Sequence, residues 1–292
     1  MSGPRATHSC LLLAGVVFAL ACRGKETART TDSARDSITP PATAATAASS
    51  WDSELGQLFV VPSDSDNVGI VLFPDAPAAS LIASSSVVLV NAAGDTTRMK
   101  LSAVDSQQCG DAPTVRLQGN APASWSAGLS RPTATLLRTD SIESLPSADS
   151  ARLAADVARL ASALPAPRDS RFSGIPFAVV SARRFGVDRR QFLVAHLVRR
   201  LNQEAAPLEE RTFLIAERPD SGQTQRYATT FSRRSEGSED TAEHFELLSV
   251  ARGKSAPALL IARDQASGTM YELLERMADG GWRSRWSRSL SC

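Results

Sequence analysis

Lysine is nearly absent from this chain: Lys25, Lys100 and Lys254 stand against 29 arginines. A bias of that size reflects a GC-rich coding sequence, so arginine abundance alone carries no phosphate-binding role. Net charge is also lacking. The formal charge is +1, and removing the first 21 residues takes away Arg5 and no acid, which leaves 31 basic and 31 acidic side chains. Such a balance does not draw nucleic acid or anionic lipid to the chain in bulk. Aromatic residues make up only 5%. The apolar run from Leu11 to Leu20 is too short to span a bilayer as a permanent helix.

Motifs that mark chemistry are missing as well. There is no H-E-x-x-H, no Cys–His cluster and no C-x-x-C, so a conventional zinc site is unsupported. Neither G-x-S-x-G nor S-x-x-K occurs. "RGKS" at Arg252 to Ser255 has the tail of a phosphate loop, but Leu248 stands where its glycine belongs and Pro257 follows where a helix must begin. It reads as a turn between strands. "DSDNVG", Asp64 to Gly69, has the acids and glycine of a calcium loop, yet Val68 occupies a ligand position and Asp75 would replace the bidentate glutamate. It reads as a hairpin turn. No metal and no cofactor is expected.

What is present starts with the N-terminus, "MSGPRATHSCLLLAGVVFALAC". A short basic lead, an apolar run and small residues before position 22 have the pattern of an export signal. The stretch Ala19-Leu20-Ala21-Cys22 resembles the lipobox of bacterial lipoproteins. That resemblance covers the signal alone, and it implies a signal peptide over residues 1–21 with acylation of Cys22. Plain cleavage after Ala-Leu-Ala is the competing reading. Arg23 stands after the cysteine in place of Asp, which in lipoproteins favours the outer over the inner membrane. Cysteine arithmetic agrees with acylation: Cys10 leaves with the signal, and lipidating Cys22 leaves one pair, Cys109 and Cys292.

Residues 23–50 are rich in Ala, Thr, Ser and Pro and almost free of large apolar side chains, too few to order a core. As a tether this stretch reaches roughly 30 Å, from about 5–6 Å × √n. The body then runs over residues 51–292, with 42% hydrophobic residues in the chain as a whole.

The body reads as mainly β, with antiparallel meander sheets in two halves, 51–145 and 173–292, joined by one amphipathic helix at 147–164. In the first half β-branched runs such as "GQLFVV", "VGIVLFP", "SVVLVN" and "TRMKLSAV" alternate with turn residues. In the helix Leu153, Val157, Leu160 and Leu164 form a stripe, with Ser147 as expected N-cap, Asp149 in the first turn and Pro165 as stop. In the second half "RRQFLVAHLVRRL" is read as a strand buried on both faces, with a helix as alternative. "FLIAERPDSGQTQRY" and "LLIARDQASGTMY" share Leu-Ile-Ala, Ser-Gly and a tyrosine at a spacing of 46, set by Leu214 to Leu260. Two similar hairpins, or a small propeller-like closure, would give that pattern.

The chain closes on "WRSRWSRSLSC". Strand parity predicts Trp282, Trp286, Leu290 and Cys292 on one face. A Cys109–Cys292 disulfide would then pin this strand to the loop "DSQQCGD", with a chain-entropy contribution of about 5 kcal/mol.

The mature chain holds two histidines, His196 and His244, each on an expected strand among apolar neighbours. They are the candidates for catalysis. Arg183, Arg184, Arg189 and Arg190, with Glu236, Glu239 and Asp240 of the loop "RRSEGSEDTAEHFE", are the candidate interaction surface. The expectation is an exported, lipid-anchored envelope protein acting as a non-catalytic binding or structural module. It would hold the membrane through its anchor, meet an envelope protein partner and bind no nucleic acid. The alternative is an envelope hydrolase or other enzyme whose site gathers around His196 and His244. An enzyme would set a histidine against a carboxylate or hydroxyl in a concave site.

Overall fold

Runs of apolar and β-branched residues, buried on both faces in most of them, build six strands at the start of the body. They are β1 (Phe59–Pro62), β2 (Val68–Leu72), β3 (Ser86–Asn91), β4 (Thr96–Cys109), β5 (Ala112–Leu117) and β6 (Trp125–Ser130). They close into a barrel in the order β1-β2-β5-β4-β3-β6, with Phe59 of β1 opposite Leu129 of β6 at the seam. Strand parity fills the barrel with Val60, Val71, Val87, Leu89, Val115 and their neighbours, and turns Phe59, Val61, Ile70 and Leu129 outward. These outward side chains are equally buried because another layer covers them.

The computed structural model describes residues 51–63, 65, 67–72, 82, 85–109, 112–167, 169–201, 208–220, 227–236, 243–254 and 256–291, without the side chains of 103–109 and 236. The signal, Cys22, the tether, Asp64, Asp66, Asp75, Glu239, Asp240 and Cys292 therefore lie outside the described residues, as do the side chains of Cys109 and Glu236.

Two short strands, β7 (Thr135–Leu136) and β8 (Asp140–Ser141), follow the barrel, then helix α1 (Ser147–Ser162). Next come β9 (Ala178–Val187), β10 (Arg190–Leu201), β11 (Leu208–Pro219) and β12 (Ala228–Glu236). The chain ends with β13 (His244–Arg252), β14 (Pro257–Gln265), β15 (Gly268–Arg276) and β16 (Trp282–Leu290). They form two five-stranded sheets, β12-β11-β10-β9-β8 and β16-β15-β14-β13-β7, with antiparallel pairing throughout. The protein is thus mainly β, with a barrel in the first half and meanders in the second. The closure is a barrel of the first half rather than a propeller of the second. Strands β7 and β8 come from the first half of the chain yet serve as edges of the second half's sheets.

The layers stack in a fixed order. Leu153, Val157 and Leu160 of α1 cover one face of the β10 sheet through Leu193, Leu197 and Leu214. The opposite face of that sheet meets the β14 sheet through Phe192, Val194, Phe213, Phe245, Ile261 and Trp282. The far face of the β14 sheet, through Leu260, Leu273 and Trp286, meets the barrel. Strand β10 is therefore buried on both faces from Phe192 to Val198 and apolar there but for His196, which is why it reads as a hydrophobic run.

The two sheets cross steeply. Phe192 meets Trp282 of β16 at 6.1 Å, and four residues later His196 meets Phe245 of β13 at 5.4 Å. Four residues of strand cover about 13 Å, close to the width of three strand spacings, so β10 runs across the partner sheet rather than along it.

Three sequence expectations change. Pro146, not Ser147, occupies the N-cap of α1 and makes no side-chain cap bond; Ser147 is already helical. Most of "DSQQCGD" is not a loop, because β4 extends to Cys109. Trp282 and Trp286 do not share a face. The β15–β16 register shifts between Leu273 and Leu274, so Arg285 is an extra residue; Trp282 enters the core between the sheets and Trp286 the core against the barrel.

Candidate functional site

The core between the two sheets changes character at one end. On β10 the inward series Phe192, Val194 continues as His196, with the exposed Arg200 beyond it; on β11 the inward series Ile215, Phe213 continues as Arg211 and Glu209. Strand pairing sets His196 opposite Phe213, Arg200 opposite Glu209, and Arg234 of β12 opposite Arg211. From the other sheet come Glu243 and His244 at the start of β13, Arg263 of β14 and Glu272 of β15. Alternation on the strands and the crossing of the sheets thus bring both histidines together with four arginines and three glutamates.

Each glutamate is engaged. Glu209 takes Arg211 Nη2 at 2.6 Å and also pairs with Arg200. Glu243 pairs with Arg234 at 3.2 Å and accepts Gln265 Nε2 at 2.7 Å. Glu272 lies 2.6 Å from Arg263. Burial pushes the Glu209 carboxyl up, but hydrogen bonds from Arg200 and Arg211 outweigh it and hold the group below its usual range. For Glu272 burial wins over Arg263 and the carboxyl is raised.

The histidines lie 6.0 Å apart, ring centre to ring centre, and nearly perpendicular. Arg211 Nη1 donates to His244 Nδ1 at 2.9 Å. A guanidinium only donates, so Nδ1 is the acceptor and the imidazole proton sits on Nε2. His196 is 2% exposed, and its Nε2 has no hydrogen-bond partner. Burial, then the charge of Arg211, drives its pKa down to about 3. Neither imidazole hydrogen-bonds a carboxylate among the described residues, the contact that orients a general base. No group of three or more His, Cys, Asp or Glu side chains among them is placed to hold a metal ion.

Other buried charges join layers. On the α1 face Arg199 Nε donates to Glu210 Oε1 at 2.7 Å and Nη1 to the Phe172 carbonyl at 3.0 Å, while Arg233 reaches the Pro165 carbonyl at 2.9 Å. Across the two sheets Arg276 grips Glu217 with two bonds of 2.6 and 2.7 Å.

The four arginines of the candidate interaction surface meet different surroundings. Arg183 points to the barrel, donating to the Ala92 carbonyl at 2.8 Å, and burial lowers its pKa. Arg184 pairs with Asp140, and Arg190 lies 3.5 Å from Glu217. Arg189 holds a left-handed turn position, φ 57°. In "RRSEGSEDTAEHFE", Arg233 and Arg234 belong to β12, and Glu243 is fully buried, so these three are not parts of a solvated loop.

Sequence reading missed Arg200, Glu209, Arg211, Arg263 and Glu272. The available signal was Glu209 and Arg211 two apart on the strand face that also carries Phe213 and Ile215. Reading the arginines as a compositional bias hid it.

At the entry to the body, Trp51 stacks on Phe59 at 5.5 Å and meets Trp286 edge-on at 4.8 Å, and Asp52 pairs with Arg285 at 3.4 Å. Trp51 and Asp52 are thus clamped to the last strand. No family model, curated protein or solved structure matches this chain. Among the described residues no helix is long and apolar enough to cross a membrane.

Proposed function

We propose that this is a lipid-anchored bacterial envelope protein, acylated at Cys22 and bound preferentially to the outer membrane, whose body is a non-catalytic binding or structural module. The observation that carries the reading is Ala19-Leu20-Ala21-Cys22 after an apolar run, followed by a tether over residues 23–50. Two features of the body support it. Its buried charges pair across strands and layers, and its histidines face an arginine and each other.

A Cys109–Cys292 disulfide belongs to the same proposal. Ala112 is the cross-strand partner of Cys109 and shares an apolar cluster with Leu290, two residues before Cys292. That placement favours a bridge across the barrel and β16.

Mass spectrometry of the unreduced protein from a bacterial envelope fraction tests both points. The expected result is an N-terminus at acylated Cys22 and a linked Cys109–Cys292 peptide, with Cys22→Ala shifting the protein to the soluble fraction. A membrane-bound Cys22→Ala protein, or an unmodified Cys22 in the wild type, rejects the anchor. Free thiols at Cys109 and Cys292 reject the bridge.

A further inference from the structure

His196 is out of keeping with its surroundings. It sits on the central strand of its sheet, in edge contact with the rings of Phe245 and His244, with its cross-strand neighbour Phe213 stacked on Phe245 at 5.0 Å. Its Nε2 has no partner, so nothing there welcomes a second ring proton. The charged groups facing this end are Arg200 from β10, Glu209 and Arg211 from β11, and Arg234 from β12. Opposite them stand Glu243 and His244 at the start of β13, Arg263 from β14 and Glu272 from β15. Among the described residues each of the three glutamates already pairs with arginine, and a charged imidazole would meet the positive charge of Arg211 in a buried, aromatic-lined site.

We propose that His196 is an acid-sensitive latch: uncharged, it lets the two sheets close over this end of the core, and its protonation requires β10 and β11 to part from β13 around it. The proton comes from solvent and no bond other than N–H is made.

The coupling follows from linkage. In the closed state His196 resists protonation down to about pH 3, and once released to water it takes a proton near its ordinary value of 6.5. The closed state therefore binds fewer protons, and closure loses stability as pH falls below about 6.5. Below about pH 6.5 the His196 contribution raises the open fraction about tenfold for each pH unit, so the gain between about pH 7.5 and about pH 4.5 is about a hundredfold. Glu272 acts with the opposite sign, since its raised pKa makes the closed state take up a proton first. Glu209, held low, adds to acid opening only at pH values below the ordinary carboxylate range.

Hydrogen exchange read by mass spectrometry over β10 and β11, corrected for the intrinsic pH dependence, tests the latch on the full chain. The wild type is expected to open more as pH falls, His196→Gln to lack the hundredfold contribution of His196, and His244→Gln to keep it. Equal pH profiles in wild type and His196→Gln overturn the proposal. If His196→Gln does not fold, the ring signal of His196 in the folded wild type decides. It is expected not to titrate between about pH 8 and about pH 4; a titration near its ordinary value overturns the latch.

Discussion

Trp282 and Trp286 stand four residues apart on β16 and bury their rings on opposite faces of one sheet, because Arg285 is inserted between them as a bulge. The bulge lets a single strand serve two cores. Trp282 completes the ring contacts of Phe192 and Phe185 between the sheets, and Trp286 packs with Trp51 and Phe59 against the barrel. It also turns Arg285 toward Asp52 and Glu275, each at 3.4 Å.

Trp282→Ala and Trp286→Ala are each expected to cost about 3–5 kcal/mol in denaturant unfolding, as deletions of buried aromatics do. Their local effects separate. Hydrogen exchange should rise around β10 for the first and around β1 for the second, and the same protection map for both would refute the two-faced strand.

Glu210 is fully buried and serves both Arg199 and Arg233, whose other bonds hold the Phe172 and Pro165 carbonyls beneath the helix. Glu210→Ala leaves two buried guanidinium groups without their carboxylate, and is expected to destabilise by about 3–5 kcal/mol. A loss below about 1 kcal/mol in urea titration would show that this cluster does not hold the helix layer.

The double bond of Arg276 to Glu217 crosses the two sheets with side chains 16% and 7% exposed, whereas Arg138 and Asp95 pair at 79% and 52% exposure. A double-mutant cycle is expected to give about 1.5–3 kcal/mol of coupling for the first and under about 1 kcal/mol for the second. Similar couplings would mean that the inter-sheet pair is as solvent-screened as the surface one.

Burial, with Asp264 and Glu246 nearby, pushes the Tyr271 hydroxyl up to about 12, from an ordinary value of 10. The unfolded chain loses this proton first, so the folded state is destabilised as pH rises from about 10 to about 12 and unaffected below that window. Absorbance titration of tyrosinate should show Tyr227→Phe retaining a tyrosine that ionises only near pH 12. Normal titration of Tyr271 in the folded protein would contradict its placement against Phe59 at 6.0 Å.

The strand runs and the helix were legible because their patterns are local. Leu153, Val157 and Leu160 repeat at helical spacing, and the β10 run from Phe192 to Val198 is apolar but for His196 because both faces are covered. The faces of the two tryptophans were not legible. A bulge moves one residue out of register, and nothing in "WRSRWSRSL" marks Arg285 as the extra one. Nor was the ionic end of the core, since Arg200, Arg211, Arg234 and Arg263 meet only after four strands from two sheets are assembled.

Sequence alone determined the β character of the body, its one long amphipathic helix and the pairing of neighbours into hairpins, because these depend on alternation, helical spacing and turn residues a few positions apart. Tertiary structure decided the rest. The first six strands close into a barrel when Phe59 meets Leu129, 70 residues away. His196 becomes a buried imidazole with no partner at Nε2 when β13 lays Phe245 and His244 across β10. Contacts between residues far apart in sequence are set by how whole faces fit together, and the alternation of a single strand carries no record of its eventual neighbour.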